Sequence, residues 1–290
     1  MQIISTVDEL RQRLAAESAI AFVPTLGNLH MGHINLVNVA KQQTIGTKKP
    51  YVVVSIFVNP LQFGANEDLA NYPRTLHADL EKLKSAGADI VFTPEVSELY
   101  PDYAAKTSNL GQTMMVTPPP IAHELCGAAR PGHFSGVATV VLKLFNLVKP
   151  TIAVFGKKDF QQLFIIRELV RQFNLPISII GVDTTREADG LAMSSRNGYL
   201  TQAERTKAAE LHNALSQVIS NVQNHHMQHI DAELKAIKHL TAEGWGVDYI
   251  SIRASSTLLP AKSGDNALVV LGAARLGKTR LIDNIEFNLV

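Results

Sequence analysis

Five short apolar runs, at 19–23, 51–57, 89–92, 151–155 and 176–181, punctuate the first 180 or so residues. Each is short enough to be a buried parallel strand. Pro24, Asn59-Pro60 and Pro94 close the first three, because proline cannot donate to a sheet ladder. Segments of helical period lie between them. A capping box, Thr6-Val7-Asp8-Glu9, opens a first helix running to about Ala16. Further helices are predicted at 33–43, at 75–86 with Gly87 as the residue past its end, at 135–147, and at 159–173 with Asp159 as N-cap. The alternation β–α–β–α–β predicts an α/β fold with a parallel sheet and right-handed crossovers.

The pattern changes after about Thr185. Two amphipathic helices, at 201–222 and 229–243, and short strands at 247–253, 267–272 and 279–287 predict a smaller α+β block. Residues 61–73 read as a polar loop. Residues 95–135 are less regular, and Thr117-Pro118-Pro119-Pro120 excludes helix and central strand there. A chain of 290 residues suits two domains, and 46% hydrophobic content supplies a sizeable core. The net charge of +1 gives no bulk electrostatic case for nucleic acid or membrane. Cys126 is the single cysteine, so no intrachain disulfide forms and a reducing compartment fits. The first residues lack a basic segment followed by a long apolar one, and the apolar stretch 136–148 is broken by Lys143. A soluble, cytoplasmic protein is expected.

Chemistry concentrates where strands hand over to helices. After the first run, Gly27 and Gly32 bracket a tight turn carrying His30 and His33. Backbone N–H groups and a positive dipole end collect at such a junction, which suits phosphate, and imidazoles add donors. No third ligand follows nearby, so a metal site is weak. Gly156-Lys157-Lys158-Asp159 repeats the geometry after the 151–155 run. A lysine there can reach phosphate oxygens, although a solvated turn would read the same in isolation. Parallel sheets place ligands at the carboxyl ends of their strands, where both turns belong. Met193-Ser194-Ser195-Arg196-Asn197, near the domain junction, combines hydroxyls with a guanidinium fork suited to polyphosphate; a polar linker reads equally well. Gln62 and Gln162 are neutral amides suited to a small polyol or hydroxy acid, or else surface glutamines.

Three other features are set aside. Gly272-Ala273-Ala274-Arg275-Leu276-Gly277-Lys278-Thr279 matches the P-loop pattern by letter. It lacks the long helix and further strands that a P-loop needs, and 281–287 reads as an edge strand. His225, His226 and His229 could share a helix face but read as solvated, and Cys126 as a small buried residue.

Together these segments resemble the pantoate–β-alanine ligase family, within the nucleotidyltransferases that carry a His-x-Gly-His turn. The resemblance is carried by Pro24-Thr25-Leu26-Gly27-Asn28-Leu29-His30-Met31-Gly32-His33, by Val58-Asn59-Pro60-Leu61-Gln62-Phe63 and by Tyr72-Pro73-Arg74-Thr75. It continues through Arg130-Pro131-Gly132-His133-Phe134-Ser135-Gly136-Val137, Phe155-Gly156-Lys157-Lys158-Asp159-Phe160-Gln161-Gln162 and the stretch 186–197. Leu276-Gly277-Lys278 and Arg280-Leu281-Ile282-Asp283 are similar to the family's C-terminal end. Leu26 stands where the family usually has Met, Asp183-Thr184 replaces a proline-containing turn, and Cys126-Gly127 lies where an acidic residue often precedes the glycine.

The resemblance implies a Rossmann-like nucleotide- and pantoate-binding domain over 1–184 and a smaller α+β lid domain over 185–290. It implies ATP-dependent joining of pantoate to β-alanine through a pantoyl-adenylate, with Mg²⁺ and a homodimer. By motif position, Leu26, Gly27, Asn28, Leu29, His30, Met31, Gly32 and His33 line the ATP site, with His33 as catalytic acid and His30 beside it. Gly156, Lys157, Lys158 and Asp159 belong to the same site, with Lys158 also catalytic. Ser194, Ser195 and Arg196 hold phosphates, and Thr185 and Met193 flank the adenine. Gln62 and Gln162 bind pantoate, Gln62 also facing β-alanine. No direct protein ligand for the metal is assigned, although Asp79 sits where the family has a metal-side carboxylate. The residues read unaided agree: cationic and imidazole groups would screen a carboxylate attacking phosphorus, and no protein nucleophile is required. A simple adenylyltransferase, a nucleotide-sensing module without turnover and a P-loop ATPase are the rivals.

Overall fold

The computed structural model describes residues 1–64, 69, 72–107, 109–262 and 264–289. Of the loop expected over 61–73, residues 65–68, 70 and 71 lie outside the described residues. The chain divides into two compact units, one formed by Met1–Lys157 with Gln162–Asp183, the other by Lys158–Gln161 with Thr184–Val290.

The first unit contains strands β1 (Gln2–Ile4), β2 (Ile20–Thr25), β3 (Tyr51–Ile56), β4 (Ile90–Phe92), β5 (Ile152–Gly156) and β6 (Ser178–Val182). Its helices are α1 (Val7–Leu14), α2 (Met31–Gln42), α3 (Leu76–Ala86), α4 (Val96–Leu99), α5 (Cys126–Ala129), α6 (His133–Val148) and α7 (Phe160–Gln172). The six strands form one sheet in the order β1-β4-β3-β2-β5-β6, every pairing parallel. The pleat sorts side chains to two faces. Ile20 and Phe22 join a cluster with Leu10, Val141, Phe145 and Ile166, from α1, α6 and α7. Ala21 and Val23 join the opposite cluster with Val37 and Leu83, from α2 and α3.

The α/β expectation stands, with local corrections. β1 is an additional strand; at three residues on the sheet edge it carries too little pattern to read. Pro24 does not end its strand, which runs on to Thr25. Ile20 O accepts from Thr151 N on the β5 side. Because faces alternate, Pro24 also turns its nitrogen toward β5, where pairing with β2 has ended at Phe22. The missing N–H therefore breaks no ladder. Gly87 does terminate α3 in the left-handed region, at φ 80°.

The second unit holds a three-stranded antiparallel sheet, β7 (Gly246–Ala254), β8 (Ala267–Leu276) and β9 (Thr279–Asn288), in that order. Leu211, Leu215 and Val218 pack on it together with Ala232, Ala236 and Leu240. The helix expected over 201–222 is two, α8 (Gln202–Lys207) and α9 (Glu210–His225), followed by α10 (His229–Ala242). The strand expected to stop at 272 continues to Leu276, and Gly277-Lys278 forms the two-residue turn into β9. The P-loop look-alike is thus a β-hairpin. His225 ends α9, His226 follows in the left-handed region and His229 opens α10, so the three share no helix face. Cys126 is half-buried at the start of α5 rather than fully buried.

Candidate active site

The sheet order sets the site. From β2 the chain turns to β3 on one side, and from β5 it turns to β6 on the other. The ends of β2 and β5 therefore form a topological switch point, the crevice where open parallel sheets take ligands. The histidine turn leaves β2, the Gly156-Lys157 turn leaves β5, and the Asn59-Pro60-Leu61-Gln62 turn follows β3 on the other side of β2. All three leave the same edge of one sheet.

The histidine turn is built from backbone bonds. Thr25 donates its hydroxyl to Ser55 O at 2.7 Å and accepts the N–H of Gly27 at 3.3 Å. Gly27 has φ 84°, and a side chain there would crowd Ile56. Asn28, also left-handed at φ 50°, and Leu29 donate their N–H groups to Asp79, each at 2.8 Å. Asp79 is buried and its two oxygens face this backbone.

The two histidines cap α2. His30 is the N-cap, and its Nδ1 accepts from Gly32 N at 3.1 Å. His33 reaches back so that its Nδ1 accepts from His30 N at 3.2 Å. This is a capping box made from imidazoles. The rings lie 4.1 Å apart between centroids. A backbone N–H can only donate, so both Nδ1 atoms carry lone pairs. Each neutral ring then holds its proton on Nε2, and two Nε2–H donors belong to one helix N-terminus. Met31, between them, is 61% exposed.

Gln62 is buried and fixed in orientation. Its Oε1 accepts from Asn59 Nδ2 at 3.2 Å, which leaves the amide NH₂ as the donor end. Asn59 is itself held by Tyr100 Oη, which donates to Oδ1 at 2.5 Å, and by Gly136 O, which accepts from Nδ2 at 3.2 Å. Burial pushes the Tyr100 phenol well above its ordinary range, so it stays a donor. The carbonyl of Gln62 accepts from His133 Nδ1 at 2.8 Å, while Arg130 donates to His133 Nε2 at 2.9 Å. An acceptor on one nitrogen and a donor on the other define a neutral His133. Asn59, Tyr100 and His133 were not singled out from sequence as functional. Asn59 and His133 stand in the quoted motifs, whereas Tyr100 carries no local signal.

On the β5 side, the Lys157 ammonium pairs with exposed Asp183 at 2.8 Å. Among the described residues other than its chain neighbours, nothing lies within 4 Å of where a Gly156 side chain would project. Gln162 begins the return of the chain to this unit, half-buried on α7.

The remaining candidates belong to the second unit. Lys158 and Asp159 sit in its four-residue excursion, where Lys158 O accepts from Asn284 Nδ2 at 2.9 Å. Thr185 O accepts from Met193 N at 3.0 Å, and Glu187 N donates to Leu191 O at 2.8 Å, folding 185–193 into a tight loop. Arg186 grips buried Asp283 of β9 through two bonds, at 2.7 and 2.9 Å. Arg205 holds Glu187 and Asp189. Ser194 accepts from Arg196 N at 3.2 Å and opens the turn Ser195–Tyr199. Its hydroxyl proton still has a donor role to fill. Asn197 closes the loop by donating to Glu187 and to Ala192 O. Ser194, Ser195 and Arg196 are therefore presented on a rigidly bonded segment.

The pantoate-beta-alanine ligase family model matches residues 2–286. A pantothenate synthetase of Methylobacillus flagellatus is 62% identical over 289 residues, covering 100% of this chain and 99% of that protein. One from Thiobacillus denitrificans is 53% identical over 287 residues, covering 99% and 97%. The crystal structure of pantothenate synthetase from Thermus thermophilus superposes with a TM-score of 0.88 at 42% identity, over 98% of this chain and 99% of that one. A pantoate-beta-alanine ligase from Francisella tularensis, solved with β,γ-ATP and β-alanine, gives a TM-score of 0.79 at 32% identity over 98% and 97%. With its parallel sheet, its histidine-capped turn and a family match along nearly all its length, this chain belongs to the pantoate–β-alanine ligase family.

Proposed function

We propose that this chain activates pantoate with ATP as a pantoyl-adenylate, releasing pyrophosphate, and then passes the acyl group to β-alanine to give pantothenate and AMP. The observation that carries the reading is the placement of the imidazole pair and the Gly156-Lys157 turn on adjacent strand ends at the switch point of one sheet. The turn from Leu26 to His33 receives the triphosphate. The Nε2–H groups of His30 and His33 donate to phosphate oxygens as negative charge builds on them. With Nδ1 engaged by the backbone, His33 acts as a neutral hydrogen-bond donor rather than as a free imidazolium. Lys158, Ser194, Ser195 and Arg196 bind phosphates, and Thr185 and Met193 flank the adenine. Gln62 and Gln162 hold pantoate, the NH₂ of Gln62 facing its oxygens and then β-alanine. The enzyme works as a cytoplasmic homodimer.

Mg²⁺ enters with the nucleotide in this scheme. The described residues contain no group of three or more His, Cys, Asp or Glu that could hold a metal, and both Asp79 oxygens already accept backbone hydrogens. A hydrated Mg²⁺ on the phosphates needs no such cage, and it would neutralise triphosphate charge.

The test is pyrophosphate release with pantoate and ATP, with and without labelled β-alanine. Release dependent on pantoate, and label appearing in pantothenate, is expected. A stable adenylylated product that β-alanine does not consume would favour the simple adenylyltransferase instead.

A further inference from the structure

We infer that Asp79 and Lys82, one turn apart on α3, are positioning residues that hold the histidine turn in its phosphate-receiving form, and that Asp79 is not a cation ligand. The inference rests on reading this turn as the ATP site.

The two side chains grip Leu29 from opposite ends. Asp79 Oδ1 accepts the N–H of Leu29 and Oδ2 the N–H of Asn28, each at 2.8 Å. Lys82 Nζ donates to Leu29 O at 2.5 Å. Thr75 adds its hydroxyl to Asp79 Oδ2 at 3.1 Å. Leu29 is also anchored by its side chain, 2% exposed in the cluster with Ile34, Val37 and Leu83. The residue immediately before His30 is therefore fixed at its N–H, its carbonyl and its side chain. Asn28 occupies a left-handed conformation, uncommon outside glycine and best tolerated by asparagine. Two successive N–H groups converging on the two oxygens of one carboxylate hold the backbone there.

The same geometry argues against a metal role. Asp79 is 1% exposed, and three hydrogens point at its two oxygens. A cation approaching along those directions would meet N–H and O–H dipoles of the wrong sign. The carboxylate acts on the reaction through the backbone that carries His30 and His33.

The test uses two variants. Asp79→Asn keeps the volume but turns one acceptor into a donor facing an N–H. Lys82→Met keeps the alkyl stem of an exposed residue and removes only the bond to Leu29 O. ¹⁵N–¹H spectra of the ligand-free protein at pH 8 should show both imidazoles as Nε2–H tautomers in the parent and as tautomer mixtures in both variants. The kcat should fall at least tenfold in Asp79→Asn and threefold or more in Lys82→Met, with KM for pantoate and the Mg²⁺ midpoint within twofold of the parent. Unchanged tautomers and kcat in both variants would overturn the inference. So would a Mg²⁺ midpoint raised severalfold with the imidazoles unaltered, which would make Asp79 a cation ligand. If Asp79→Asn does not fold, Lys82→Met decides alone. The imidazole spectra need no substrate, so a parent that makes no pantothenate would count against the functional reading and leave this one standing or falling on its own.

Discussion

His33 Nδ1 accepts the backbone N–H of His30 at 3.2 Å, so the second histidine of the turn serves the helix terminus with one ring nitrogen and keeps the other for the proposed role at phosphate. His33→Ala removes both. Turnover is expected to fall on the order of a hundredfold or more, as for loss of a charge-stabilising donor. Loss of the cap should lower stability by about 1 kcal/mol. Steady-state pyrophosphate release and urea denaturation separate the two effects.

Tyr100→Phe deletes the donor that fixes Asn59 and, through it, Gln62. The fold should weaken by only ~1 kcal/mol, the net value of one hydrogen bond. KM for pantoate should rise about tenfold, the equivalent of ~1.4 kcal/mol of lost substrate positioning, with kcat less affected. An unchanged KM would mean that the Gln62 amide needs no such anchor.

Gly136→Ala probes the same turn from behind. The added methyl would collide with the Leu61 carbonyl, which no flexible side chain can relieve. A destabilisation of about 1–3 kcal/mol is expected, as for overpacking. It should come with weaker pantoate binding by calorimetry, because the Gln62 turn must move away from α6.

Asp283 gives the second unit an acid-sensitive anchor. Burial pushes its carboxyl up, but the His212 imidazole and the Arg186 guanidinium pull it down and prevail, holding it below the usual carboxylate range. His212 Nδ1 lies 3.2 Å from Oδ2 but is not aligned for a hydrogen bond, so the two-bond Arg186 contact is the principal pairing. A depressed carboxylate contributes stability that is fully present above its unfolded value, about pH 3.9. That contribution is lost as pH falls through the folded value below it. Arg186→Met should cost about 3 kcal/mol, because it removes the two-bond partner of a buried charge. Acid titrations of unfolding should show a shallower slope below pH 4 in Asp283→Asn than in the parent.

Lys278→Ala should leave kcat and KM for ATP within twofold, since this lysine belongs to a two-residue hairpin turn. A large loss of ATP affinity would restore the phosphate-loop reading.

The architecture was legible where pattern and punctuation agreed. The apolar runs gave five of the six strands of the parallel sheet, and the glycine-histidine stretch lies at the carboxyl end of one of its central strands. Rejection of the P-loop match rested on what followed it in the chain, and β9 follows it. Three things were not legible, each for a physical reason. Pro24 ends a strand only when its nitrogen faces a paired neighbour, which depends on the register with β5. The break at Ala208 and Ala209 falls in good helix formers that give no stop signal. The Tyr100–Asn59–Gln62 relay joins residues 41 and 3 positions apart, and only the fold brings a phenol from beyond β4 under the turn after β3.

The Lys158–Gln161 excursion has a practical consequence for dissecting the protein. A genetic cut after Asp183 should not yield two self-sufficient fragments. The piece beginning at Thr184 would lack four residues of its own body, and Asn284 would lose the carbonyl to which its amide is bonded. The longer piece would carry those four residues with no partner to receive them. Complementation by the two fragments together, rather than independent folding of either, is the outcome this threading of the polypeptide dictates.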